Sequence, residues 1–324
     1  MIEKMTTQPT EVSSFPRHDQ VICSLFEGHY HLGFAVLLNS LLRGGFAGLV
    51  WAGYRGELPP WTATLEKLGP GLFQLSNGAR LQFEQLTSSL HFTNYKPEFM
   101  LKLIERGVAT KHLWYFDPDI TVRCSWIFYE RWVTYGVCLV SDVINGTMPP
   151  RHPLRCMWAD AAEKAGWGRP TTPQTLYFNG GFIGLDIEHA SFLERWLAMM
   201  QLAAQHVDLG GFMSGKREDA FYASDQDALN LTLMYANEPV SAIGPEGMGF
   251  EVGGFTMYHS VGSAKPWKKE FLRFALNGWP PTNADKHFVE CASGPIQVFT
   301  AGELRAKQRA IKAAAVIGRF YKRT

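Results

Sequence analysis

The sequence predicts an α/β fold whose core strands are buried on both faces. Apolar runs of strand length, such as VICSLF at residues 21–26, show no polar alternation, so neither face of the strand meets water. Between the first two such runs, Leu32, Val36, Leu37 and Leu41 recur at helical spacing. Strand, helix and strand within about 30 residues form a unit with a parallel pair and a right-handed crossover. With 324 residues and 46% hydrophobic content, the chain is long enough for one large domain, or for a domain and an extension.

Residues 1–18 are polar, lack periodicity and read as a flexible tail. After the first strand, Glu27-Gly28-His29 form a turn, residues 30–42 a helix ended by Gly44-Gly45, and residues 46–51 a second buried strand. Leu58-Pro59-Pro60-Trp61 lead into a short helix, 71–75 and 80–83 are short strands, and 96–106 is a helix with Pro97 in its first turn. Next comes KHLWYFDPDITVR, residues 111–123. Residues 112–116 suit a buried strand, and Pro118, which cannot donate to a ladder, stops it, leaving Asp117 and Asp119 at the strand's carboxyl end. Residues 125–135 read as a helix and 137–140 as a strand ending at Ser141-Asp142. The stretch 144–174 is loop-like, with a helical piece at 157–165, and insertions of this length are more often functional than accidental. YFNGGFIGL at 177–185 is a strand bent by its glycine pair, and 188–206 is a long helix. A glycine-rich loop at 208–215 precedes a helix at 224–236 with Ser224 as its N-cap. Short strands at 240–243 and 255–258 lead into HSVGSAKPW at 259–267. Residues 19–267 thus form one domain, and 268–324 an extension ending in a basic amphipathic helix.

Composition excludes several classes. A net charge of +1 without a basic block ahead of the C-terminus gives no footprint for nucleic acid. Five cysteines without a C-x-x-C pair argue against a disulfide framework or a zinc site. The polar N-terminus lacks a signal-peptide core, and no segment reaches about 18 uninterrupted apolar residues, so the expected location is cytoplasmic.

Two carboxylates at a strand's carboxyl end stand where open α/β sheets bind ligands, and they repel unless a cation joins them. A hard divalent ion with oxygen ligands is the natural partner. Asp-Pro-Asp is equally an ordinary turn, so the pair alone leaves both readings open.

Four motifs in order remove that ambiguity: the Asp-Pro-Asp turn, Asn179-Gly180-Gly181, Asp225-Gln226-Asp227 and HSVGSAKPW. Together they resemble the GT-A fold nucleotide-sugar glycosyltransferases, most closely the retaining family eight that contains glycogenin and bacterial lipopolysaccharide galactosyltransferases. The resemblance runs from about Val21 to Trp267 and implies a mixed, mostly parallel central sheet flanked by helices. It implies that Asp117, Asp119 and His259 hold Mn²⁺ or Mg²⁺, that Lys265 reaches the diphosphate, and that Gly262 allows close backbone approach. Cys23 and Ser24 fall on the first strand, where the family holds the nucleotide. Lys96 falls where the family places a basic residue, usually arginine, near the diphosphate; a solvated helix-terminal lysine is the other reading. Asn179, Gly180 and Gly181 would line the donor and acceptor pocket, with Asp225 and Gln226 near the anomeric carbon and Asp142 facing the donor. The implied co-substrate is a nucleotide sugar, and the implied acceptor a carbohydrate, glycolipid or protein.

Each residue has a plainer reading. Asp225 and Asp227 favour a helix N-terminus electrostatically, and Trp158, Trp167 and Tyr177 pack in cores as readily as they stack on sugars. The helix at 303–324 lies on an anionic membrane surface or docks on its own domain. Two other functions share this pattern: a sugar-phosphate nucleotidyltransferase, which usually has a glycine-rich loop where this chain has Glu27-Gly28-His29, and a non-catalytic sugar-nucleotide-binding protein.

Overall fold

Strand β1 (His18–Glu27) pairs in parallel with β2 (Leu49–Arg55) on one side and β6 (Ala109–Phe116) on the other, as the strand-helix-strand pattern predicts. These elements belong to a computed structural model that describes residues 16–213 and 215–321. Most of the expected tail lies outside the described residues, and β1 begins within its last position, at His18. Beyond β2 the sheet continues through parallel β5 (Arg80–Gln85) to two antiparallel edge strands, β4 (Leu72–Gln74) and β3 (Lys67–Gly69). Beyond β6, strand β9 (Phe182–Asp186) runs antiparallel to both β6 and β8 (Val137–Val140), and β10 (Val240–Ile243) runs parallel to β8. The result is a mixed nine-stranded sheet whose central ladders are parallel. A separate antiparallel ladder joins β7 (Ile120–Val122) to β11 (Met257–His259).

Pleating explains the unbroken apolar run of β1. Val21, Cys23 and Leu25 enter one hydrophobic layer, and Ile22 and Phe26 the other. The first layer holds α2 (Phe92–Glu105), α4 (Pro153–Lys164), α5 (Ala190–Ala203) and α6 (Ser224–Leu233). The second holds α1 (His31–Arg43), α3 (Trp126–Trp132) and the C-terminal helices α7 (Phe271–Leu276), α8 (Asn283–Cys291) and α9 (Ala301–Phe320). The C-terminal extension therefore shares a core with the rest of the chain.

Three differences from the sequence reading position the site. Helix α2 starts four residues early because the His91 side chain caps it by accepting from Thr93 N–H, which leaves Pro97 in the helix interior and turns Lys96 inward. Strand β9 starts only at Phe182, because the amides of Gly180 and Gly181 donate to the side chains of Gln226 and Asn179 instead of to a ladder. Ser224 is the first helical residue and not the cap: its hydroxyl donates to Asn94 Oδ1, while Asp227 accepts from Ala223 N–H.

Helix α9 is entered through a capping box of Thr300 and Glu303. It buries Ile311 and Ala314 and packs Leu304 and Ile317 against the core, so its apolar stripe docks on its own domain. Arg305, Arg309, Lys312 and Arg319 face outward. Among the described residues no helix is long and apolar enough to cross a membrane. Ile311→Ala is expected to destabilise the fold by about 2–4 kcal/mol, read from urea denaturation; an unchanged midpoint would mean that α9 adds nothing to the core.

Candidate functional site

The Asp-Pro-Asp turn is held from three sides. At the end of β6, Asp117 N–H donates to Gly181 O at 2.7 Å, and Ile120 N–H closes the turn onto Asp117 O at 3.1 Å. Helix α1 lies directly against it: a Cβ on Gly33 would stand 2.5 Å from Pro118 O and 2.6 Å from the Trp267 indole. On the far side, the β7–β11 ladder sets His259 opposite Ile120, and Ser260 N–H donates to Asp119 O at 3.0 Å.

The three expected metal ligands converge. Ligating atoms of Asp117, Asp119 and His259 lie within 4.8 Å of one another, with His259 Nε2 3.2 Å from Asp119 Oδ1 and 3.8 Å from Asp117 Oδ2. Neighbouring ligands on one octahedral ion stand about 3 Å apart, so a small closure completes the set. Gly181 leaves the room they need: a Cβ there would lie 2.5 Å from His259 Cε1 and 2.8 Å from Asp117 Oδ2. The residues present fit a divalent cation.

The opposite oxygens of the two carboxylates are already engaged. Asp117 Oδ1 accepts from the Tyr115 hydroxyl at 2.9 Å and lies 3.2 Å from Lys96 Nζ, which also donates to Asp117 Oδ2 at 3.5 Å. Asp119 Oδ2 accepts from Lys265 Nζ at 2.5 Å. Burial would raise the Asp119 pKa, but His259 and Lys265 together hold it well below the usual carboxylate range. Burial would likewise favour neutral amines, yet Asp117 and Asp225 raise the pKa of Lys96, and Asp119 chiefly that of Lys265, so both ammoniums stay charged.

Lys96 is neither a solvated lysine nor a free phosphate ligand. It is 1% exposed, and its ammonium meets Asp117, Asp225 Oδ2 at 3.0 Å and Gly180 O at 2.8 Å. Those three partners match its three N–H groups. Lys265 likewise spends hydrogen bonds on Asp119 and on Ser260 O at 2.8 Å.

On the other side of the Gly180-Gly181 segment, Asp142 Oδ2 accepts from Asn179 Nδ2 at 2.7 Å and from Gln226 Nε2 at 2.9 Å. The structure thus brings Asp142, Asn179, Gly180, Gly181, Asp225 and Gln226 together with the metal ligands. Beside them Asp227 accepts from the Tyr177 hydroxyl at 2.6 Å, and burial pushes its pKa up to about 7.

The remaining candidates lie apart from this cluster or in the core. Cys23 is fully buried in the hydrophobic layer, and burial pushes its thiol pKa well up, so its side chain offers nothing to a ligand. The Ser24 hydroxyl is buried on the opposite face of β1 with no hydrogen-bond partner. Gly262 has open space where a Cβ would be, and its φ of +91° suits glycine. Trp158 and Tyr177 are core residues stacked on each other, whereas Trp167 stays partly exposed against Tyr235. Sequence reasoning missed Tyr115, although its place two residues before Asp117 puts it on the same strand face. It also missed His29 and Tyr30, which pack on Trp267, His29 Nδ1 accepting from the indole N–H at 2.9 Å.

No family model and no curated protein matches the chain. Several solved structures are similar. The glycosyltransferase GlyE of Streptococcus pneumoniae TIGR4 is 12% identical over 93% of this chain and 64% of its own, with a TM-score of 0.48. The galactosyltransferase LgtC, solved in complex with donor and acceptor sugar analogs, is 15% identical over 89% of this chain and 100% of its own, with a TM-score of 0.49. The bifunctional glycosyltransferase WbbM is 14% identical over 91% of this chain and 52% of its own, also at 0.49. The chain therefore spans just under two thirds of GlyE and about half of WbbM. The functional reading rests on the chain's own residues.

Gly181→Ala is expected to abolish Mn²⁺ binding, measured by titration calorimetry, while the circular dichroism of the fold is kept; undiminished binding would mean that the three ligands do not meet at Gly181. Asp227 has a folded pKa raised above its unfolded value, so its stabilising protonation is complete below about pH 4 and is lost as pH rises through about 7. Asp227→Asn should flatten that fall in a pH series of urea midpoints, and an identical pH slope in the variant would exclude Asp227 as its source.

Proposed function

We propose that this chain is a metal-dependent glycosyltransferase that moves a hexose from a nucleotide diphosphate sugar, most simply a uridine diphosphate sugar, to a carbohydrate, glycolipid or protein acceptor. The observation that carries the reading is the convergence of Asp117, Asp119 and His259 at the carboxyl end of a central strand, beside two buried charged lysines. The family resemblance implies retention of anomeric configuration.

Asp117, Asp119 and His259 would hold Mn²⁺ or Mg²⁺, which supplies positive charge to the leaving diphosphate. In the transfer, the bond from the anomeric carbon to the diphosphate breaks and its electron pair leaves on the phosphate oxygen. The acceptor hydroxyl oxygen bonds to that carbon and loses its proton. Negative charge therefore grows on the departing group, and Lys265 places a permanent positive charge beside the cage where that growth is offset. Asp225 is held through Oδ2 by Lys96, and its Oδ1 has no protein partner among the described residues, so it is free to accept from a sugar hydroxyl.

With its apolar stripe docked, α9 would meet an anionic inner membrane face through its outward cations, a contact that would suit a lipid-linked acceptor and a cytoplasmic location. Asp119→Ala is expected to remove both transfer and the Mn²⁺-dependent part of uridine diphosphate affinity. Calorimetric titrations with and without Mn²⁺ check this, and an unchanged Mn²⁺-dependent affinity would sink the reading.

A further inference from the structure

Both oxygens of Asp142 are consumed by protein. Oδ1 accepts from Ile144 N–H at 2.9 Å, Oδ2 accepts from Asn179 and Gln226, and the residue is 4% exposed. Asp142 Oδ2 accepts from both amides, so their NH₂ groups are turned toward it. Their oxygens are thereby aimed elsewhere: Gln226 Oε1 accepts from Gly180 N–H at 3.0 Å, and Asn179 Oδ1 from Gly181 N–H at 2.8 Å. The carbonyls of the same two glycines face the metal side, where Gly180 O accepts from Lys96 at 2.8 Å and Gly181 O from Asp117 N–H at 2.7 Å. A chain of hydrogen bonds thus runs from Asp142 through the two amides and the glycine backbone to Lys96 and Asp117.

We infer that Asp142 is a positioning residue that fixes Asn179 and Gln226, and that Gln226 in turn holds the backbone of Gly180. This rests on the glycosyltransferase reading and assigns roles within it: Asp225, with its unpartnered Oδ1, is the group that meets the sugar, while Asp142 and Gln226 hold the glycine segment in register behind it. Loss of this hydrogen-bond chain would leave the pocket chemically complete and geometrically loose, which lowers turnover more than binding.

The test compares Asp142→Asn, Asp142→Ala, Gln226→Ala and the double alanine variant with wild type. Donor turnover is followed on a panel of uridine diphosphate hexoses with Mn²⁺. Asp142→Ala and Gln226→Ala should each lower kcat roughly 10- to 100-fold with donor KM little changed. The double variant should be no worse than the poorer single one, because both act through one network. Asp142→Asn, whose amide oxygen can keep accepting from both groups but whose NH₂ then faces Ile144 N–H, should fall between wild type and Asp142→Ala in kcat. Multiplicative losses, a raised KM in Gln226→Ala, or an Asp142→Asn variant as poor as Asp142→Ala would overturn the proposal. A second readout needs no turnover. In the free protein, the Asn179 and Gln226 side-chain amide protons should be protected from exchange in wild type and Asp142→Asn, and unprotected in Asp142→Ala. Equal protection in all three would overturn the network itself. Absence of donor turnover in a wild type that shows the protection pattern would fail the glycosyltransferase reading and the catalytic roles, but not the network. Should Asp142→Ala not fold, Asp142→Asn and Gln226→Ala still decide through kcat, KM and exchange.

Discussion

The site depends on the short ladder between β7 and β11. By pairing Met257 with Val122 and His259 with Ile120, it carries an imidazole from the far end of the chain to within 3.2 Å of Asp119. The same ladder delivers the segment that follows, so Lys265 arrives on the other oxygen of that carboxylate. A slip of one residue would turn His259 to the opposite face, since strand side chains alternate. Helix α8 guards the register from behind, with His287 Nδ1 2.9 Å from the Thr121 hydroxyl.

Charge balance is the second constraint. Asp117, Asp119 and Asp225 stand close together in a largely buried pocket, an arrangement that self-repulsion and desolvation both disfavour. Lys96 answers this by bridging Asp117 and Asp225 and Lys265 by pairing with Asp119, each also donating to a backbone carbonyl. Asp119 Oδ1 and Asp117 Oδ2 face His259, the latter also accepting from Lys96 at 3.5 Å. Pairing of this kind supports a fixed geometry as well as a tolerable electrostatic energy, because each lysine has few alternative partners in the pocket.

Glycine supplies the space that this crowding requires. Gly33 lets α1 approach the Pro118 carbonyl and the Trp267 indole, and Gly181 lets the backbone pass between His259, Asn179 and Asp117. Trp267 then ties the segment to the mouth of the β1–α1 connection through His29, and Lys307 of α9 donates to its carbonyl at 2.9 Å. The C-terminal helices therefore brace the segment that bears His259 and Lys265.

Much of this was legible in the residues alone. Local pattern determined the central strands and most helices, because apolar runs buried on both faces and helical spacing are properties of neighbouring residues; it also set Asp117 and Asp119 at a strand end, because Pro118 stops the ladder. Where side chains replaced backbone as partners, local pattern misled: β9 started late because Asn179 and Gln226 took its amides, and α2 started early because His91 capped it. Neither the burial of Lys96 nor the saturation of Asp142 has a local signature, since their partners come from distant elements. The sequence by itself determined which chemical groups the protein owns and the order in which they occur. Only the tertiary structure decided which oxygen faces His259, which faces a lysine and which has no protein partner among the described residues, because those choices depend on packing between segments far apart in the chain.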